Sequence, residues 1–252
     1  MNARPLAFAV LALGLFSTTA RANFHVMQIE EFIGGVNGNT AAQAIQLRMS
    51  TGGQNQVQQS SLWAWDAAGL NRVLLLDINA AVSNSATGSR VLLSTATFTS
   101  TMVAGGAATF TPDFTLANAI PASYLAAGRL TFEQDGGTVA TPGVIYWSLS
   151  WGGASYTGPT TGNTQNDADG NFGPSFASAV PTASRTGVLF SGAATAPSTT
   201  NSADYAISGN PATVTKNSGT GFTVVPEPAT VGLLAIGVLA LSGMAWSRRQ
   251  RC

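Results

Sequence analysis

An all-β sandwich is the fold the sequence predicts for the middle of the chain, and three observations predict it. Apolar and polar residues alternate over short runs, Gly- and Asn-rich turns separate those runs, and no long stretch repeats apolar residues at the helical period of 3.6. In one run Ile45, Leu47 and Met49 alternate with Gln46 and Arg48; in another Ile145, Trp147, Leu149 and Trp151 alternate with Tyr146, Ser148 and Ser150. Each is a period-two strand with one face buried.

Further strands are expected at Phe24–Phe32, Leu62–Trp65, Arg72–Ile78, Arg90–Leu93, Thr109–Thr115, Arg129–Gln134 and Gly187–Ser191. Between them stand Gly34-Gly35, Asn37-Gly38, Gly52-Gly53, Gly136-Gly137 and Gly152-Gly153, pairs that turns favour. One short helix is expected at Pro121–Ala127, with Pro at its start and Gly128 just past its end. Strands this short at this spacing make a sandwich. The domain is expected over residues 23–208. Residues 209–225 are rich in Ser, Thr, Asn and Pro and read as a flexible stalk.

Both ends stand apart from this fold. At the front, Arg4 precedes an apolar stretch from Leu6 to Phe16, and Ala20-Arg21-Ala22 has the small-x-small form of a signal-peptide cleavage site. Residues 1–22 therefore read as a signal peptide with a mature start at Asn23; Arg21 is unusual inside such a site, which leaves cleavage after Ala20 as the alternative. At the back, residues 229–246 carry no charge and are followed by Arg248, Arg249 and Arg251. Eighteen helical residues at about 1.5 Å each span roughly 27 Å, close to a bilayer's hydrocarbon thickness. The arginines place Cys252 in the cytoplasm and the domain outside. A buried core helix is the competing reading, and the arginine cluster argues against it.

Composition narrows the chemistry. The whole chain of 252 residues has a formal net charge of +0 and only 9% charged residues. The exported region holds six basic residues (Arg48, Arg72, Arg90, Arg129, Arg185, Lys216) against ten acidic ones, a net of −4. So few cations and no basic cluster argue against nucleic-acid binding. Cys252 is the only cysteine and His25 the only histidine. Disulfides, thiolate metal sites and a histidine-based triad are therefore not expected in the domain.

The tail sequence Val225-Pro226-Glu227-Pro228-Ala229-Thr230, the apolar span and Arg248-Arg249-Gln250-Arg251 together resemble the PEP-CTERM sorting signals of Gram-negative, exopolysaccharide-making bacteria. The resemblance covers residues 226–252. It implies export, transient anchoring in the inner membrane, and recognition by an exosortase, a multi-pass membrane cysteine protease-transpeptidase. Pro226, Glu227 and Pro228 would be the recognition residues, and the product would pass to the cell surface or extracellular matrix. In the body, Phe24–Phe32, Ile120–Phe132 and Thr200–Ser208 resemble bacterial lamin-tail domains. That resemblance implies an immunoglobulin-like β-sandwich and no activity.

Three features of the body carry possible chemistry. Asp167, Asp169 and Asn171 alternate beside Gly170, as oxygen ligands do in calcium loops, but an EF-hand would need a glutamate where Phe176 stands. An ordinary surface turn is the favoured reading. Trp63, Trp65, Trp147 and Trp151 fall in two pairs of equal strand parity and could stack on sugar rings, although large aromatics on a strand face more often fill a core. Glu30 and Glu31, being adjacent on a strand, are expected on opposite faces, which would bar them from acting as a pair.

The expected function is a non-enzymatic surface or matrix protein without a cofactor, delivered by its tail. The alternatives are a carbohydrate-binding module of the exopolysaccharide matrix and a secreted hydrolase with two carboxylates about 5 to 9.5 Å apart.

Overall fold

The structure is a computed structural model and describes residues 24–225. The expected signal peptide and the expected membrane span lie outside the described residues, among which no helix is long and apolar enough to cross a membrane.

Twelve strands form in chain order among the described residues: β1 (Met27–Ile33), β2 (Ala44–Met49), β3 (Ser60–Trp65), β4 (Arg72–Asp77), β5 (Arg90–Ser94), β6 (Phe114–Thr115), β7 (Gly128–Gln134), β8 (Ile145–Trp151), β9 (Val188–Phe190), β10 (Tyr205–Ile207), β11 (Thr213–Thr215) and β12 (Gly221–Thr223). They build a six-stranded sheet ordered β10-β9-β1-β2-β5-β6, a four-stranded sheet ordered β4-β3-β7-β8, and the two-stranded hairpin β11-β12. Pairing is antiparallel except between β5 and β6. The all-β sandwich is thus the fold of the domain.

Period-two alternation explains the core. Ile29, Phe32, Ile45, Leu47, Val91 and Leu93 of the large sheet share one cluster with Leu62, Leu130, Phe132, Trp147, Leu149 and Trp151 of the small one. Phe32 and Trp151 meet across the sheets with ring centroids 5.3 Å apart. Trp147 donates its indole N–H to the Tyr205 hydroxyl at 2.7 Å, and that hydroxyl donates to the Ile29 carbonyl at 2.6 Å. The chain of bonds ties β8, β10 and β1 together and leaves no polar atom of the two rings unsatisfied.

A second apolar cluster covers part of the large sheet's outer face. Ile33, Ala44 and Leu92 point outward and meet Phe98 and Met102 of helix α1 (Ala96–Ala104), Phe110, and Ala212, Val214 and Val224 of the hairpin region. The sequence reading misses α1. Thr95 caps it by accepting from the Phe98 amide, and Phe98 and Met102, four residues apart, bury one stripe. Packing overrides the low helix preference of its three threonines. The helix expected at Pro121–Ala127 is only a 3-10 turn at Ala122–Tyr124. Of the strand expected at Thr109–Thr115, only β6 forms.

The stalk expected over residues 209–225 is corrected by the hairpin. Val214 and Val224 are buried, Val224 donates its amide to the Ala212 carbonyl at 2.9 Å, and Ala212 donates to the Arg185 carbonyl at 2.8 Å. Composition misled here because the threonines face outward while three small apolar residues suffice to dock the hairpin.

Candidate functional site

One irregularity in β1 creates the most chemically loaded place on the domain. Ile29 pairs with Leu47, but Glu31 rather than Glu30 pairs with Gln46, so Glu30 is an extra residue in a β-bulge. Met27, Ile29 and Phe32 stay in the core while Glu30 and Glu31 both face outward into one cleft of about 490 Å³. The expectation that the two carboxylates lie on opposite faces is therefore corrected: the bulge breaks the alternation between them.

Glu30 is completely engaged. Its Oε1 accepts from Arg48 Nη1 at 2.9 Å and Arg90 Nη2 at 2.9 Å; its Oε2 accepts from Arg90 Nε at 2.6 Å and Gln46 Nε2 at 2.7 Å. Arg48 is equally committed, giving Nε to Gln28 and Nη2 to the Gly192 carbonyl. Arg90 keeps its Nη1 outside this network. Burial lowers the pKa of Arg48, whereas the bonds to Glu30 raise that of Arg90.

Glu31 is different. It is buried, yet its Oε1 has no hydrogen-bond partner. Burial pushes its carboxyl up to about 7; the Ser208 hydroxyl pulls it back, the Glu30 charge raises it further, and Arg90 lowers it. Gly187 lets β9 approach here, since a Cβ at that position would stand 2.7 Å from the Phe32 carbonyl oxygen and 3.1 Å from Glu31 Oε1. The opposite wall comes from Leu189, Pro211 and Ala212. Chemically, the cleft lies over a rigid base in which one carboxylate holds two guanidinium groups, with the Glu31 carboxyl buried beside it.

The tryptophans take another role. Trp147 and Trp151 are core residues, fully buried, and Trp151 donates its indole N–H to the Tyr124 carbonyl at 2.9 Å. Trp63 and Trp65 share the outer face of the small sheet but are only 4% and 6% exposed. Arg72 stacks on both, its guanidinium carbon 4.0 Å and 4.4 Å from the two ring centroids. The following chain is pinned over this face: Thr157 donates its amide to the Ala67 carbonyl, and Arg129 donates to the Ser148 hydroxyl and the Thr161 carbonyl. None of the four rings presents an open stacking surface, so the sugar-stacking role considered for them is not supported by their placement.

The Asp167–Asn171 loop folds on itself. Asp167 Oδ1 accepts from the amides of Asp169 and Asn171, Asp169 Oδ1 accepts from the Asn171 amide, and Asn171 Oδ1 accepts from the Thr160 hydroxyl and the Gly173 amide. Gly170, at φ +72°, supplies the left-handed residue of the turn. Among the described residues no three His, Cys, Asp or Glu side chains gather as a metal site.

Past β12, Val224 is buried and Val225 packs against the second cluster. Here the comparison with known families is decisive, because residues 224–249 match the PEP-CTERM protein-sorting motif. The chain carries a PEP-CTERM sorting signal. The signal marks an exported, membrane-associated substrate recognised by an exosortase. Pro226, Glu227, Pro228 and the arginines at 248, 249 and 251 fall within or beside the matched residues, although they lie outside the described ones. The match begins two residues inside the packed domain, so the PEP-CTERM signal follows the hairpin without a spacer.

No curated protein and no solved structure matches the chain. The lamin-tail resemblance thus rests on its short blocks, which form β1, the turn leading into β7, and the short helix α2 (Asn201–Asp204) with β10. Sequence reasoning missed the Glu30–Glu31 cleft. Its only available signal was two adjacent acids inside a run with apolar residues on both flanks, a pattern a bulge resolves by facing both outward.

Proposed function

We propose that the protein is a non-enzymatic component of the cell surface or extracellular matrix: an exported β-sandwich held at the membrane by its PEP-CTERM tail until an exosortase processes it. The observation that carries this reading is the sorting motif at residues 224–249, which begins at the buried Val224 directly after β12. Because Val224 is part of the core, the domain stays within a few residues of the bilayer before processing, a geometry suited to delivery rather than to diffusion.

The absence of an enzyme role is supported by the side chains themselves. In the cleft Glu30 is spent on two arginines and a glutamine, which leaves Glu31 without a free carboxylate partner for acid-base or nucleophilic work. A carboxylate hydrolase remains the competing reading only because both acids share one cleft. The reading invokes no cofactor: Asp167 Oδ1 and Asp169 Oδ1 accept from the loop's own amides.

The test is the intact mass and location of the protein in cells with and without the exosortase. A product shortened near Pro226 and found outside the cell only when the exosortase is present supports the proposal. A product still ending at Cys252 in both refutes processing and leaves a tail-anchored surface protein.

A further inference from the structure

The sorting signal begins inside the fold. Residues 224–249 match the motif, yet Val224 is 0% exposed and donates its amide to the Ala212 carbonyl at 2.9 Å. Val225 packs against the same cluster, so Pro226 is one peptide bond away from packed chain. A protease takes its substrate as extended chain on both sides of the bond it cuts, and a folded segment is cut through its transiently opened form. Val224 and Val225 cannot lie in the cleft of a second protein while they line the second cluster of this one.

The fold contains a unit that can open by itself. The hairpin β11-β12 is a separate two-stranded sheet; among the described residues, the core cluster between the six- and four-stranded sheets draws none from 209–225. Ala212, Val214, Val224 and the Phe222 ring hold the hairpin to the outer face of the large sheet, Phe222 meeting Phe110 with ring centroids 5.0 Å apart. A lone two-stranded hairpin has little stability of its own, so docking keeps it in place. Its pin is Asn217 in the turn, which is buried. The side-chain amide donates to the Asn84 and Arg90 carbonyls, each at 3.0 Å, and its oxygen accepts from the Asn84 amide at 2.7 Å. The backbone amide of Asn217 donates to Asp113 Oδ2 at 2.7 Å, an oxygen that also accepts from the Leu92 amide of β5. Once the hairpin leaves, the chain is next fixed at β10, where Tyr205 belongs to the sandwich core. Residues 209–225 then give up to about 55–60 Å of slack when fully extended.

We propose that the β11-β12 hairpin is a catch on the sorting signal: docked, it withholds the segment ahead of Pro226 from the exosortase, and undocking releases that segment for processing. The inference rests on the proposed processing and adds what regulates it. The rate of processing then follows the population of undocked hairpin rather than recognition of the motif alone. The sandwich stays folded throughout, because the first core is untouched by the release.

The experiment is a pulse-chase of the full-length chain in cells that contain the exosortase, with shortening read by intact mass. Asn217→Ala removes the pin and Phe222→Ala weakens the docking, and both lie outside the matched residues, so the signal itself is unaltered. Each variant should keep a cooperative thermal transition, exchange its Val224 amide faster than wild type, and be processed about tenfold faster, since every lost contact shifts the hairpin equilibrium several-fold. A Gly-Ser spacer of about 12 residues between Val225 and Pro226, spanning roughly 19 Å, should speed processing as much in an otherwise wild-type chain. With the spacer present, Asn217→Ala and Phe222→Ala should bring no further gain. Wild-type rates in both hairpin variants overturn the catch, even where the spacer alone is faster, because that result assigns the delay to the bulk of the domain. Were one variant not to fold, the other decides. Shortening absent from every species refutes processing and the catch together; shortening at one rate in all of them refutes the catch and leaves processing standing.

Discussion

Arg72 and Glu133 form an ion pair at 2.7 Å with side chains 1% and 0% exposed, on the face of the small sheet opposite the core. Trp63 and Trp65 lie against the guanidinium, and the Thr131 hydroxyl and Gly143 amide donate to the carboxylate. Arg72 Nε and Nη1 have no hydrogen-bond acceptor, so the stacked rings are what shields them.

Breaking this pair from one side leaves a buried charge alone. Glu133→Leu and Arg72→Met should each destabilise the domain by about 3–5 kcal/mol, while the double variant carrying both should recover most of the loss. Urea unfolding of the four species as a double-mutant cycle checks this; additive losses would show that the pair is solvated.

Glu31 should make stability depend on pH. Its folded value of about 7 lies above its ordinary 4.5, so its contribution is fully present below about pH 4.5 and is lost as pH rises through about 7. The full loss is about 3 kcal/mol at 1.36 kcal/mol per unit. Exposed Asp135, pushed up to about 6 by desolvation and by Asp77, titrates in the same sense. The informative quantity is therefore the difference between wild type and Glu31→Gln, which should grow between pH 5 and 8 in thermal melts; a constant difference would contradict the assignment.

Residues 209–225 should behave as folded chain. Amides of Thr215 and Val224 should exchange slowly with solvent, because they donate to Gln46 and Ala212. Val224→Asp buries a charge inside the second cluster and should release the hairpin. Limited proteolysis should then cut within 209–225 at least tenfold faster than in wild type, with the sandwich core surviving; equal cutting in both would restore the stalk reading.

The four domain tryptophans should be shielded. In a Trp246→Phe background, acrylamide should quench emission several-fold less in the native chain than in urea, since Trp63, Trp65, Trp147 and Trp151 are all buried. Native quenching close to that of the unfolded chain would mean that one of the rings is open to solvent.

Much of the fold was legible because alternation carries it. Ile45, Leu47 and Met49 of β2 and Trp147, Leu149 and Trp151 of β8 face the core as their spacing predicts. The helix α1 was not, since a Thr-rich run has weak local preference and is fixed by Phe98 and Met102 finding the sheet. The hairpin was hidden for a related reason: a few small apolar residues among threonines look like linker until a surface exists for them to cover. The cleft was hidden by the bulge, which depends on how β1 registers with β2 and is invisible in the spacing of β1 alone.

By itself the sequence determined where this protein goes and what broad shape it takes. The sorting signal is read as a linear string, and the sandwich follows from a local periodicity that water enforces on every strand. Tertiary structure alone decided which faces stay open. It buried Trp63 and Trp65 beneath a later stretch of chain, drew residues 213–223 onto the large sheet, and turned Glu30 and Glu31 to the same side. Those outcomes depend on contacts between residues far apart in the chain, and no local pattern encodes them.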